Sequence, residues 1–238
     1  MSFSKILSFV LYPLLFYSFV EAAVLSHGPV VGGVDSSSAK IFVRTDIAAT
    51  VELEYGTDPN LIGSLLSSPL STSSSSDFTV HVPLSGLLTT TTYYLNVHVN
   101  GVSQLSPPFP SFSTFAPAGA LADFKFVVLT DFQNQNNATL YWPTFLNASN
   151  ESAKFAFIGG DFDHRNPSTL SAKRNMFKAL YTPTVLCGLN DFVNLILRWM
   201  PIAHQWDDHD AGLNNIDKTY ADWNLSYLVL RMGHAAKT

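Results

Sequence analysis

Two stretches constrain the fold most: "FKFVVLTDF" (124–132) and "KFAFIGGDF" (154–162). Each is a near-continuous apolar run that gives way to an aspartate. A strand with one wet face alternates apolar and polar residues. A run that is apolar at nearly every position suits a strand covered on both faces, as in parallel sheets. A third run, "PIAHQW" (201–206), leads straight into "DDHD" (207–210). Between the second and third lie two segments of helical spacing. "STLSAKRNMFKALYT" (168–182) has a Ser/Thr start and Pro183 just beyond it, and "DFVNLILRWM" (191–200) follows. The order strand, loop, strand, helix, helix, strand predicts an α/β layer.

The chain upstream reads differently. "AKIFVRT", "TVELEYG", "DFTVHVPL", "TYYLNVHVN" and "SFSTFA" are short runs of period two, rich in β-branched and aromatic residues and separated by turn chemistry. That pattern predicts an all-β sandwich over residues 24–116. The Ser-rich "SSPLSTSSSSD" (67–77) reads as a flexible loop inside it. "LSGLLTTTTYYLNVHV" (84–99) resembles the tyrosine-corner segment of fibronectin type III domains, with Tyr93 or Tyr94 as the corner. "APAGALAD" (116–123) gathers small residues with Pro and Gly, so the boundary is placed at 117–123 and the α/β domain at 124–238.

Composition bounds the function. The chain has 238 residues, 47% of them apolar and 13% charged, enough to bury a core. Its formal charge of −5 argues against a nucleic-acid binder, which needs a basic face. The first residues, "MSFSKILSFVLYPLLFYSFVEAAV", combine Lys5, an apolar run from Ile6 to Val20 and small residues at Val20 and Ala22. The run is shorter than the roughly 20 residues a bilayer span needs. Residues 1–22 therefore read as a secretory signal peptide, and the protein as secreted, extracellular or in a cell wall. Four glycosylation sequons, at Asn137, Asn147, Asn150 and Asn224, fit that route; the first three suggest an exposed loop. With Cys187 alone, no intramolecular disulfide can form.

Three strands thus end in carboxylates: Asp131, Asp161, and the pair Asp207 and Asp208. In open α/β sheets, ligands bind outside the carboxyl ends of strands. Carboxylates converging there would repel and raise one another's pKa. A hard or borderline cation resolves that conflict by binding the ionised forms. Other motifs fail. An EF-hand started at Asp208 has Gly212 fifth and Thr219 twelfth, and there is no H-E-x-x-H, G-x-S-x-G or Walker loop. His204 reads as a strand residue.

This layout resembles the PhoD-like family of calcineurin-type metallophosphoesterases, also called alkaline phosphatase D, over about residues 27–225. "GGDFDH" (159–164) and "PIAHQWDDHDAGLNN" (201–215) carry the likeness. The resemblance implies a fibronectin type III-like β-sandwich followed by a two-sheet α/β metallophosphoesterase domain. It implies two metal ions (Fe, Ca, Zn, Mn or Mg) that activate a water for in-line attack on a phosphate ester. By it, Asp131 holds the first metal, Asp161 bridges both and Asp208 takes the place of a metal-binding asparagine. His164 stands where relatives have a metal-binding tyrosine, and Gln133 where the wider superfamily has a histidine. His209 is implied to face the phosphoryl group or the leaving oxygen, and Asn214 and Asn215 are candidates to orient substrate.

The family's late histidines, in a G-H context, and its second sheet have no clear counterpart here. The family-like text stops near Asn224 or Leu225, and Gly233-His234 reads as unrelated to it. The expectation is a chain truncated at its C-terminus, with one sheet face uncovered and activity weak or lost. The alternatives are a non-catalytic secreted binding module and a mispredicted gene fragment. No stable membrane span is expected, and the sequence leaves the oligomeric state open.

Overall fold

A computed structural model describes residues 22–131, 142–161, 164–165, 169–182, 191–211 and 214–216. Most of the signal-like segment, Gln133, Asn137, Cys187, Asn224 and Gly233-His234 lie outside the described residues. Among those described, no helix is long and apolar enough to cross a membrane.

The first part is all β: β1 (Leu25–Gly32), β2 (Ser38–Thr45), β3 (Thr50–Gly56), β4 (Leu65–Leu66), β5 (Leu70–Ser71), β6 (Thr79–Ser85), β7 (Thr92–Val99), β8 (Val102–Ser103) and β9 (Ser111–Ser113). One antiparallel sheet runs β4-β3-β7-β8, with β5 also on β3 and β9 on β7. It faces the antiparallel trio β1-β2-β6. Alternate residues of both sheets, Ile41, Val43, Leu53, Val82, Leu95 and Val97 among them, fill the space between. Tyr93, rather than Tyr94, is the corner: the Leu88 N–H donates to its Oη at 2.9 Å. Its ring stacks on Phe112 at 5.8 Å.

The Ser-rich segment differs from the loop expected. β5 pairs with β3. Thr72 is buried, with its Oγ1 2.7 Å from that of Thr45 and 3.0 Å from the Ala49 N–H that it accepts. Short hydroxyl side chains bond locally to the backbone, and so anchor a stretch whose composition alone suggests freedom.

The second part contains β10 (Phe126–Leu129), α1 (Trp142–Asn150), β11 (Phe155–Ile158), α2 (Leu170–Leu180), a π-helix (Phe192–Leu197), β12 (Ile202–His204) and α3 (Asp208–Ala211). The three strands are parallel, with Leu129 opposite Ile158 and Ile158 opposite His204. Thr169 caps α2, its side chain accepting the Ala172 N–H. The sequon region was expected to be an exposed loop, but Asn147 and Asn150 lie on α1. Both are exposed while Phe145 and Ala148 on the same helix are buried, which is the asymmetry of an amphipathic helix.

The two parts share one sheet. β12 pairs in parallel with β1 through Gly32 and Ile202, giving the order β10-β11-β12-β1-β2-β6. Neighbouring residues of β1 and β2 therefore serve different cores. Val31 and Ile41 join the sandwich core. Val30 and Phe42 join a second core with Phe145, Ile158, Phe177 and Ile196. At the far edge, Phe124, Phe126 and Val128 are each about half exposed, and Phe126 stacks on Phe155 at 5.2 Å.

A polar cluster clasps α2 to the sandwich. Lys178 Nζ lies 2.8 Å from Asp77 Oδ2, and Arg44 reaches Asp77 at 3.5 Å. Beside them the buried His27 places Nε2 3.1 Å from the Lys178 carbonyl and 2.9 Å from Thr182 Oγ1, with Nδ1 2.9 Å from Ser26 Oγ.

Candidate metal centre

The carboxyl ends of β10, β11 and β12 lie side by side because the strands are parallel and in register. Each then turns sharply. Asp131 (φ 56°) and Asp161 (φ 55°) both adopt the left-handed conformation, which aspartate tolerates better than most residues. The turns are tied together: the Asp131 N–H donates to the Gly160 carbonyl at 3.2 Å, and the Gly159 N–H to that of Leu129 at 2.8 Å. Gly160 has φ +94°, and a Cβ there would fall 2.6 Å from the Asp207 nitrogen and 2.9 Å from Asp210 Oδ2. Only glycine lets the Asp161 turn press against the loop after β12.

That loop brings the "DDHD" tetrapeptide to Asp161. The His209 N–H donates to Asp161 Oδ1 at 3.3 Å and to Asp208 Oδ1 at 3.0 Å. The Asp208 N–H donates to Asp207 Oδ1 at 2.8 Å, and the Asn215 N–H donates to Asp208 Oδ2. His164 enters from the other side. Its Nε2 lies 3.1 Å from Asp131 Oδ1 and 3.7 Å from Asp161 Oδ2, and its ring stacks on that of His209 at 4.2 Å and 10°.

Two donor groups result. Asp161, His164 and His209 form one, and Asp161, Asp207 and Asp208 the other; within each, the ligand atoms lie within 4.8 Å of one another. Asp161 belongs to both. His164 Nε2 is a buried nitrogen with no hydrogen-bond partner, since its approach to Asp131 lacks hydrogen-bond geometry. An orphaned imidazole nitrogen beside carboxylate oxygens fits a cation. Two imidazoles and a carboxylate suit a borderline transition metal, whereas three carboxylates suit a hard ion such as Ca²⁺, Mg²⁺ or Mn²⁺.

The electrostatics agree. Burial, and then the charges of Asp207 and Asp208, raise the Asp161 carboxyl above its usual range, against a smaller opposing effect of His209. Burial would also raise Asp208, but hydrogen bonds from the Asn215 and His209 backbone outweigh it and leave that carboxyl low. A site that holds one carboxylate ionised and penalises its neighbour carries an unmet demand for positive charge.

The structure brings five expected residues together: Asp131, Asp161, His164, Asp208 and His209. Asp131 reaches the cluster through His164 and stands outside both donor groups. His209 is buried and stacked on His164, and belongs to the first donor group. Asn214 is exposed at the rim, beside the Asn215 whose N–H reaches Asp208. Sequence reasoning placed Asp207 beside Asp208 among the strand-end carboxylates without a ligand role of its own, though it is a donor in the second group, and it gave the buried Asp210 no role.

No known family model matches this chain, and no curated protein does. Among solved structures, that of PhoD superposes over 87% of this chain with a TM-score of 0.70 at 17% identity. The fold is PhoD-like. The match takes in 45% of the PhoD chain, so this chain spans less than half of that protein's length. A sensor domain of the anti-sigma factor RsgI4 from Pseudobacteroides cellulosolvens matches 41% of this chain at 23% identity and a TM-score of 0.31, covering 98% of its own chain. A human fibronectin type III domain from the KIAA0970 protein matches 42% at 11% identity and a TM-score of 0.31, covering 78% of its own.

Proposed function

We propose that this chain is a secreted, metal-dependent phosphoric ester hydrolase, a phosphatase or phosphodiesterase using two metal ions. The observation that carries the reading is Asp161. One carboxylate at a strand end is shared between a histidine-rich donor group and an all-carboxylate one. That is the arrangement a bridging ligand needs, on a PhoD-like fold. The signal-like composition of residues 1–22 supports export.

Bound metal ions would supply the positive charge that attracts an anionic phosphoryl group and the acidity that makes water a nucleophile at neutral pH. The chain's own residues set the stage. Asp161, His164 and His209 would hold one ion, and Asp161, Asp207 and Asp208 the other. Asp131, hydrogen-bonded through its backbone to Gly160, keeps a carboxylate beside His164. The His164 and His209 imidazoles are stacked face to face, so both rings stand beside Asp161 in one donor group. Asn214, exposed beside Asn215, would hydrogen-bond a substrate oxygen.

The test is made on the purified chain and on a version extended with the C-terminal remainder of a PhoD fold. Metal content and hydrolysis of p-nitrophenyl phosphate and of its bis-ester are measured with chelator and after refilling. Two metal equivalents and metal-dependent hydrolysis are expected, both lost in Asp161→Ala. Hydrolysis absent from both forms, or indifferent to Asp161→Ala, overturns the reading. An intact fold with no bound metal would favour the non-catalytic binding module.

A further inference from the structure

We infer that Asp210 is the positioning residue of this centre: its buried carboxylate fixes the distance between the Asp161 and Asp207 ligands. The inference rests on the dimetal reading above. Asp210 is completely buried, at 0% exposure, among residues whose neighbours in "DDHD" reach solvent or the site. A carboxylate is costly to bury unless hydrogen bonds and a counter-charge offset the desolvation. Here two backbone donors reach the carboxylate and a histidine ring stands beside it. Its Oδ2 accepts the backbone N–H of Asp161 and that of Asp207, each at 3.1 Å. His204 Nε2, on a side chain only 2% exposed, stands 3.5 Å from the same oxygen.

One oxygen thus joins the turn after β11, the loop after β12 and β12 itself. The two backbone positions it grips are those of Asp161 and Asp207, both donors of the all-carboxylate group. Asp210 itself is absent from either donor group among the described residues. Its Oδ2 bonds go to the backbone of two donor residues. Gly160 completes the arrangement, since a side chain there would collide with Asp210 Oδ2 and the Asp207 nitrogen. Tyr181, at the end of α2, is buried within reach of the Asp210 charge. Burial first, and the Asp210 charge second, push its hydroxyl up, so it stays neutral. A carboxylate with two N–H donors and a histidine partner has little freedom, and the two ligands inherit that rigidity.

Without this tether the first donor group keeps His164, His209 and the contact of the His209 N–H with Asp161. The second loses its spacing. Asp210→Ala should therefore weaken one of two metal equivalents selectively, by about 10- to 100-fold, the range for residues that orient ligands. Asp210→Asn is nearly isosteric and can still present an oxygen to the two N–H groups. It should restore most of that affinity.

The experiment titrates Mn²⁺ alone into the whole chain and both variants by calorimetry. It also follows the amide signals of Asp161 and Asp207 by NMR without metal. Expected are protected, low-field amides in the parent and in Asp210→Asn, both lost in Asp210→Ala, with weakening confined to one Mn²⁺ equivalent. Equal affinity for both equivalents in Asp210→Ala, with unchanged amides, overturns the inference. So does rapid exchange of these amides in the parent, which decides the matter even if Asp210→Ala fails to fold. A parent that binds no Mn²⁺ sinks the dimetal reading instead. The amide signals then still show whether Asp210 holds the two loops.

Discussion

His27 links a single ring to the stability of the whole. Burial, reinforced by the charge of Arg44, lowers its pKa from 6.5 to about 4. Arg44 and Lys178 face it as cations and Asp77 as the one anion, so the folded protein holds it neutral. Its Nε2 faces a carbonyl, which only accepts, so that nitrogen carries the proton. The unfolded chain takes up a proton near pH 6.5 and the folded one only near 4. The contribution is therefore complete above pH 6.5 and lost as pH falls toward 4, to a total of about 3 kcal/mol. Urea titrations at pH 7, 5 and 4 should show that loss, and His27→Gln should flatten the pH dependence. At the same scale, the sequence showed which aspartates matter only where an apolar run stops. Asp131, Asp161 and the pair Asp207 and Asp208 were legible as strand ends. Asp210 was not, because a run of polar residues does not reveal which of them a short helical turn will point inward.

At the scale of elements, period-two alternation identified β2, β3, β6 and β7, since each has one face on the sandwich core. β1 was harder to see. Gly28 and Pro29 interrupt it, and its pairing with β2 is irregular between Leu25 and Val30. α1 was hidden for another reason: Pro143 and several Asn, Ser and Thr residues give it weak helix propensity, and it forms because Phe145 is fully buried against the second core. The tyrosine corner tests how far such elements stand alone. Tyr93→Phe leaves the Leu88 N–H without its acceptor, at a cost of about 1–2 kcal/mol. Chemical denaturation should show that loss, while metal content should stay at the parental level, because the corner and the metal centre lie on different elements.

For the whole molecule, composition and motifs predicted a sandwich and an α/β layer as neighbours, and could not show that they share a sheet. Strand partners distant in sequence carry no local signature, and only three dimensions put Gly32 beside Ile202. Calorimetry should accordingly record one cooperative transition, because unfolding either part exposes the shared strands; two resolved transitions would show the parts to be independent. The β1–β12 pairing also sets a timetable for synthesis. The first strand to emerge takes its last neighbour from residue 202, so one of its edges stays open while nearly all the intervening chain is made. Such distant contacts fold slowly, and open edges invite mispairing in the meantime. The nascent sandwich therefore waits, with an unsealed seam, for the same strand that delivers the "DDHD" corner of the metal centre.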